Sequence, residues 1–295
     1  MAASLHVAGF EHIMETGCFG TEDIMQIHRQ KALQAFADYV KDYDAEDPKV
    51  RLKIDHTYRV AGFCQRIAES LELSRADIDL AWLSGLLHDV GRFEQLRNYG
   101  TFIDARSIDH AMYGAEILFD QGKIRDYVED GSEDGFLRKV ISCHSAYRIP
   151  EDYDERTTLF ANILRDADKV DILRVNVETP LEEIYNVSTE VLRSEPVTPQ
   201  VLQAFQEGHT VLRALKRTAV DNVVGHISLV FELMFPVSLH MVAEQGYLNR
   251  LMDFRSENPD TVRDFILIRK KMAEYLETAE TVAHDHLPYI ATIDF

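Results

Sequence analysis

The chain has 295 residues, of which 46% are hydrophobic and 27% are charged, a composition typical of a globular protein with a sizeable core. Its 31 Lys and Arg residues stand against 50 Asp and Glu residues, which gives a formal net charge of −19. A chain this acidic has no general attraction for nucleic acid or for anionic membranes, so we expect neither as a partner. An anionic substrate would need positive charge placed locally in its site.

Three features of the sequence predict a cytoplasmic protein. The first residues, MAASLHVAGF, lack the basic flank and the long apolar core of a signal peptide. The most apolar later stretch, residues 226–243, is interrupted by Glu232 and Pro236, which favours a kinked buried helix over a membrane span. The cysteines form neither a CxxC pair nor an even disulfide framework, as is typical of a reducing compartment. They are Cys18, Cys64 and Cys143.

Apolar residues recur at helical spacing through most of the chain, whereas strand patterns are scarce, so the fold is predicted to be all-α. Several segments begin with a capping residue followed by proline, and another begins with the capping-box pair Ser74 and Asp77. In chain order, the predicted helices cover residues 28–44, 47–71, 74–90, 107–119, 134–146, 157–175, 198–206 and 258–285.

Gly91 is placed to end the helix that follows Ser74, and a loop is predicted from Phe93 to Arg106. No repeat of fixed period and no Pro/Gly/Ser-rich linker divides the sequence. We therefore predict that residues 1–180 form a helical core, which includes an N-terminal helix. Residues 181–295 would form a C-terminal helical extension packed on that core. Such a bundle could also form a homodimer.

Polar residues of two types fall on the apolar, core-facing sides of these predicted helices. His56 precedes Val60 by four residues, and Asp168 follows Leu164 by four. A single inward histidine is more often a hydrogen-bonded core residue than a ligand, and an adjacent His-Asp pair could simply cap a helix. The occurrence of six such residues together predicts a shared cationic partner, because buried carboxylates need a compensating charge. Its members are His56, His88, Asp89, His110, His144 and Asp168.

Divalent metal ions would supply that charge. Imidazole and carboxylate ligands suit Fe, Mn, Co, Ni or Zn and are less typical of Mg, which prefers oxygen ligands and water. A single metal ion that keeps a position open for substrate usually binds fewer than six protein ligands. Two metals that share a bridging carboxylate fit the set better.

The six residues and the text around them resemble the HD superfamily of metal-dependent phosphohydrolases. The flanking segments LLHDVGRFEQ, SIDHAMYGAEIL and ILRDADKVDILR are similar to one bacterial branch of it, and the resemblance covers residues 30 to 180. It implies a helical HD-domain bundle, in agreement with the helix pattern. It also implies that His56, His88, Asp89 and Asp168 hold a first metal. In dinuclear members the aspartate of the doublet, here Asp89, bridges to a second metal, which His110 and His144 would hold.

The resemblance implies hydrolysis of a phosphate ester, such as a nucleotide or a related small phosphoester, by a metal-activated water that Asp89 and Asp168 could orient. Arg92 and Lys169 are the candidate catalytic and substrate-binding cations, because each lies close in sequence to one of these aspartates. Ion pairs with nearby acids such as Glu94 or Asp171 would explain the two cations equally well.

Two other functions stay open at this point. The same ligand set resembles the di-iron oxygenases of the HD superfamily, since an iron pair accepts the same histidines and aspartates. A metal-bound nucleotide sensor with little turnover is the third possibility, suggested by the long segment after residue 180, for which the motif gives no role. The flanking text favours the hydrolase.

Overall fold

The computed structural model describes residues 26–286 of the chain, and within this range the regular structure is entirely helical, which confirms the predicted all-α fold. Cys18 lies outside the described residues, while Cys64 and Cys143 are buried and form no disulfide within residues 26–286. In chain order the α-helices are α1 (Arg29–Val40), α2 (Pro48–Ser70), α3 (Arg75–Leu87), α4 (Val90–Tyr99), α5 (His110–Ala115), α6 (Ile124–Tyr127), α7 (Asp134–Ser142), α8 (Glu155–Glu178), α9 (Leu181–Tyr185), α10 (Thr189–Ser194), α11 (Pro199–Gln206), α12 (Val220–Ser228), α13 (Pro236–Gln245), α14 (Tyr247–Met252) and α15 (Pro259–His286).

Contacts along the backbone group the chain into two compact units. The described part of the first consists of residues 26–61 and 72–164, and that of the second consists of residues 62–71 and 165–286. Helices α2 and α8 each contribute residues to both units. The predicted division at residue 180 into a core and a C-terminal extension stays a prediction.

The first unit is a bundle around an aromatic and aliphatic core. Helix α1 packs on α3 and α6, and α5 packs on α4 and α7. Phe36 of α1 meets Phe93 of α4 edge to face, with their ring centroids 6.0 Å apart, and both side chains are fully buried. Burial of two such rings contributes several kcal/mol, which orders α1 and α4 against each other.

Local sequence signals explain where several helices begin. Helix α3 starts after Ser74, whose side chain accepts a hydrogen bond from the Asp77 amide, as the capping pattern predicts. Helix α2 begins at Pro48, and α15 begins at Pro259, after Asn258 accepts from the amides of the first turn. Proline has no amide hydrogen to satisfy and its φ angle is already helical, so it is well suited to this position.

The prediction that Gly91 ends a helix is wrong. Helix α3 already ends at Leu87, and Gly91 lies inside α4, which runs to Tyr99 and covers the first half of the predicted loop. A Cβ atom on Gly91 would lie 2.3 Å from the His110 carbonyl oxygen and 2.6 Å from the Gly114 nitrogen. The missing side chain therefore permits close approach of α4 and α5, which brings Asp89 near His110.

We expect Gly91→Ala to lower the free energy of unfolding by about 1–3 kcal/mol or more, because backbone atoms of α5 cannot move aside cheaply. Chemical denaturation followed by circular dichroism measures this. Gly62→Ala is the matched control. Gly62 is an exposed glycine within α2 that has open space around it, so alanine there should raise stability by up to about 1 kcal/mol. Equal stability of the two variants would contradict the role given to Gly91.

The second unit contains the apolar stretch that was predicted as one kinked helix, and the stretch is instead broken into separate helices. Helix α12 ends at Ser228, a short 3-10 turn follows, and α13 begins at Pro236. The buried Asp166 carboxylate accepts hydrogen bonds from the Met234 and Phe235 amides. A side chain thus provides the partner for backbone amides in the extended link between the helices. Within residues 26–286, none of the helices has the length and apolar character needed to cross a bilayer.

Candidate metal centre

The His88-Asp89 doublet forms the turn between α3 and α4. Asp89 occupies the N-cap position of α4, yet its carboxylate makes no capping hydrogen bond there. The side chain is 2% exposed and points to the histidines of neighbouring elements. Its position therefore serves the site rather than the helix end.

Four buried histidines surround this carboxylate, and each of its oxygens faces one pair. Oδ2 lies 3.6 Å from Nε2 of His56 and 3.4 Å from Nε2 of His88. Oδ1 lies 3.5 Å from Nε2 of His110 and 3.8 Å from Nε2 of His144. Five of the predicted site residues thus meet within the first unit, from α2, the α3–α4 turn, the start of α5 and the turn after α7.

Hydrogen bonds from the opposite ring nitrogen fix three of these imidazoles. Nδ1 of His88 lies 2.8 Å from the Gly85 carbonyl oxygen, and Nδ1 of His144 lies 2.8 Å from the Ile141 carbonyl oxygen. Nδ1 of His110 lies 2.8 Å from Oδ2 of Asp104. Because a carbonyl oxygen or a carboxylate can only accept, each Nδ1 carries the proton, and each Nε2 presents a lone pair toward Asp89.

The facing lone pairs fit divalent ions well. Nε2 of His110 and Nε2 of His144 are 3.1 Å apart, and Nε2 of His56 and Nε2 of His88 are 3.3 Å apart. Two nitrogens that each lie about 2.1 Å from one ion, at angles between about 90° and 109°, are roughly 3.0–3.4 Å apart. His88, Asp89 and His144 also offer ligand atoms that all lie within 4.8 Å of one another. The donor set is therefore suited to cations shared between imidazoles and a carboxylate.

The surroundings of the site favour the protonation states in which aspartate and histidine bind metals, namely the carboxylate and the neutral imidazole. Burial alone would raise the pKa of Asp89, but the charge of the Lys53 ammonium, with that of Arg92, holds it well below its usual range. Burial lowers the pKa of His110 below its usual value, although its hydrogen bond to Asp104 acts in the opposite direction. Asp89 is therefore ionised and His110 is neutral near pH 7, as metal ligands must be.

The hydrogen-bond partner of His110 Nδ1 is Asp104 and not Asp109, which precedes His110 directly in the chain. Asp109 caps α5 instead, since its carboxylate accepts from the Ala111 and Met112 amides. Asp104 also binds Arg92, whose Nη1 donates to its Oδ1 at 2.8 Å. The same Nη1 donates to the Phe102 carbonyl oxygen at 2.7 Å. Arg92 thus pairs with Asp104 and not with Glu94, and it ties the 102–104 loop to the site.

We expect Asp104→Asn to weaken metal affinity by roughly 10–100-fold, the usual effect of losing an outer partner of a ligand histidine. An amide offers only one oxygen, so it cannot accept from His110 on one side and from Arg92 and Gln95 on the other. Metal titration against a competing chelator measures the affinity. Asp109→Asn is the control, because asparagine caps a helix as well as aspartate does. Similar affinity of both variants would show that Asp104 does not support His110.

Sequence reasoning missed one cation of this site, Lys53. Its Nζ lies 2.6 Å from Oδ2 of Asp89, and its side chain is 17% exposed. Lys53 precedes His56 by three residues on α2, so the two share a face of the helix. That spacing was the available signal, but a lysine on a long helix is ordinarily read as solvent-exposed.

Asp168 and Lys169 belong to α8 within the second unit, and both are partly buried. Lys169 Nζ lies 3.2 Å from Oε2 of Glu232, so its ion pair is with Glu232 and not with Asp171. Burial and the neighbouring Arg165 lower the pKa of Lys169. The roles of Asp168 as a metal ligand and of Lys169 in binding substrate stay predictions.

Comparison with known protein families agrees with the arrangement of four histidines around Asp89. Residues 54–173 match the family model described as HD domain. The chain matched no curated protein and no solved structure. HD domains bind divalent metals and are in general metal-dependent phosphohydrolases. Residues 54–173 therefore match an HD domain, and this match supports an HD-superfamily protein.

Proposed function

We propose that the protein hydrolyses a small phosphate ester, namely a nucleotide or a related compound, at a dinuclear metal site. The observation that carries the proposal is the position of Asp89, whose two oxygens face separate histidine pairs. A carboxylate in that position can bridge two ions, with His56 and His88 on one side and His110 and His144 on the other. From the sequence resemblance alone, we also include Asp168 as a ligand of the first metal.

The ions would be Fe, Mn, Co, Ni or Zn, since all four imidazoles present nitrogen. A pair of bound dications supplies a water of lowered pKa and Lewis acidity toward the phosphate oxygens. The chain's own contribution is to hold the ligands in fixed orientations. His88 and His144 are held by main-chain carbonyls and His110 by Asp104, so little rearrangement would accompany metal binding.

Local positive charge supports an anionic substrate in spite of the net charge of −19. Arg92 lies beside the bridging carboxylate, with its Nε 3.6 Å from Oδ1 of Asp89. A guanidinium there would be able to attract and orient a phosphate group by charge. We include Lys169 as a second substrate-binding candidate, on the strength of its position beside Asp168.

The test uses metal-stripped protein that has been reloaded with each of the five metals in turn. It measures hydrolysis of nucleotides, of p-nitrophenyl phosphate as a monoester and of bis(p-nitrophenyl) phosphate as a diester. We expect release that depends on the added metal and stops with chelator. Oxygen uptake is recorded in parallel. Uptake by the iron-loaded protein without phosphate release would replace the proposal with an oxygenase, and nucleotide binding without either reaction would replace it with a sensor.

A further inference from the structure

Lys53 and Arg92 occupy equivalent places on the two sides of Asp89. Lys53 Nζ contacts Oδ2, the oxygen that faces His56 and His88. Arg92 Nε approaches Oδ1, the oxygen that faces His110 and His144. Each of the two histidine pairs around Asp89 therefore has one cation beside it.

The two cations differ in how firmly they are held. The Arg92 guanidinium donates to the Asp104 carboxylate, the Gln95 side chain and the Phe102 carbonyl oxygen, which fixes its plane. The Lys53 ammonium sits on a flexible four-carbon stem, and its described polar contact is with Asp89 itself. The counter-charge of Lys53 is thus the same carboxylate oxygen that would serve a metal ion between His56 and His88.

Cation binding at Asp89 changes the surroundings of Lys53. A dication beside Oδ2 repels the ammonium and takes up the charge that attracts it. An anion adjacent to the metal would restore the balance, and a phosphate group offers several oxygens to an ammonium with three donors. Lys53 can rotate about its stem to reach such an oxygen, while Arg92 stays bound to Asp104.

The ring of Phe102 limits where the ammonium can move. Its centroid lies 5.6 Å from Lys53 Nζ and 5.8 Å from the Arg92 guanidinium carbon, so both cations lie close to the same aromatic ring. The attraction of a ring face for cations keeps the Lys53 head group close to the site. Phe102 is itself positioned by the hydrogen bond from Arg92 to its carbonyl oxygen.

We propose that Lys53 is a substrate-binding residue that contacts a phosphate oxygen on the His56–His88 side of the centre. This inference rests on the proposed phosphohydrolase function and names one of its binding groups. Arg92 would keep its substrate-binding place on the His110–His144 side, while its hydrogen bonds position the 102–104 loop and Asp104.

The test compares Lys53→Met, which keeps the length of the side chain without the charge, with Lys53→Arg. Lys49→Met is the matched control, since Lys49 is an exposed lysine one turn earlier on the same helix. Calorimetry first measures Mn²⁺ binding to each metal-stripped protein, and then measures binding of inorganic phosphate to each Mn²⁺-loaded protein. Neither measurement requires turnover.

We expect Lys53→Met to bind Mn²⁺ at least as tightly as the wild type, because a neighbouring positive charge has been removed. Its affinity for phosphate should fall by roughly ten- to hundredfold, the size of a lost charge-assisted hydrogen bond. Lys53→Arg should recover part of that loss, and Lys49→Met should match the wild type.

Unchanged phosphate affinity in Lys53→Met would overturn the inference, and so would loss of Mn²⁺ binding, which would assign Lys53 to holding Asp89 in place. Phosphate release by the wild type is assayed on the same preparations. If the wild type releases phosphate from esters but Lys53→Met binds phosphate normally, the inference alone fails. If the wild type hydrolyses none of the esters, the proposed function itself fails.

Discussion

Asp89→Asn is expected to remove metal binding and phosphate release together. The substitution takes away a carboxylate that all four histidines face, and an amide cannot bridge two cations with two equivalent oxygens. The loss of activity should exceed the roughly 10–100-fold effect of an outer partner such as Asp104. Metal analysis of the purified protein and phosphate release measure the two effects.

Thermal unfolding with and without Mn²⁺ separates this effect from misfolding. A ligand that binds the folded state at a hundred times its Kd stabilises it by about 2.7 kcal/mol. The wild type should therefore unfold at a higher temperature with Mn²⁺, and Asp89→Asn should unfold cooperatively but show no such rise. Asp42→Asn, at an exposed aspartate, is the control and should behave as the wild type does. A normal Mn²⁺ response in Asp89→Asn would contradict a bridging role for the carboxylate.

His144→Gln is expected to lower the metal content from about two ions per chain to about one. His144 faces Oδ1 of Asp89 together with His110, whereas His56 and His88 face the other oxygen and should retain their ion. Elemental analysis gives the stoichiometry. In the Mn²⁺-loaded protein, the electron paramagnetic resonance spectrum should change from that of a magnetically coupled pair to that of an isolated ion.

His240→Gln is the matched control for this change, because His240 is an exposed histidine of α13. It should retain both the stoichiometry and the coupled spectrum. One ion per chain in the wild type, with the same content in His144→Gln, would refute the dinuclear proposal and leave a single-metal centre at His56, His88 and Asp89.

Much of the fold and part of the centre could be predicted from the sequence, because helical spacing records which residues face inward. His56 lies on the buried face of α2 as its distance from Val60 predicted. The end of α3 was harder to predict, since Gly91 suits a helix end and an interhelical contact equally well. Only the path of α5, which brings the His110 carbonyl oxygen and Gly114 against Gly91, distinguishes the two uses.

Pairings between side chains could not be predicted in the same way. Asp109 is adjacent to His110 in sequence, but capping α5 uses its carboxylate, and Asp104 reaches Nδ1 from a separate turn. The ion pair between Lys169 and Glu232 joins residues 63 positions apart, as 232 − 169 gives. Such pairs depend on how loops and helices pack, and that information is not contained in local periodicity.

The acceptors that orient the imidazoles have a consequence for how this centre can change. His88 and His144 rely on the carbonyl oxygens of Gly85 and Ile141, which every amino acid would provide at those positions. Nδ1 of His110 instead contacts the Asp104 side chain, whose negative charge makes that imidazole a stronger electron donor than a carbonyl would. Single substitutions can therefore adjust ligand basicity on the His110 side while the other orientations persist. The preference of the centre for one metal over another is therefore expected to respond to substitution of Asp104.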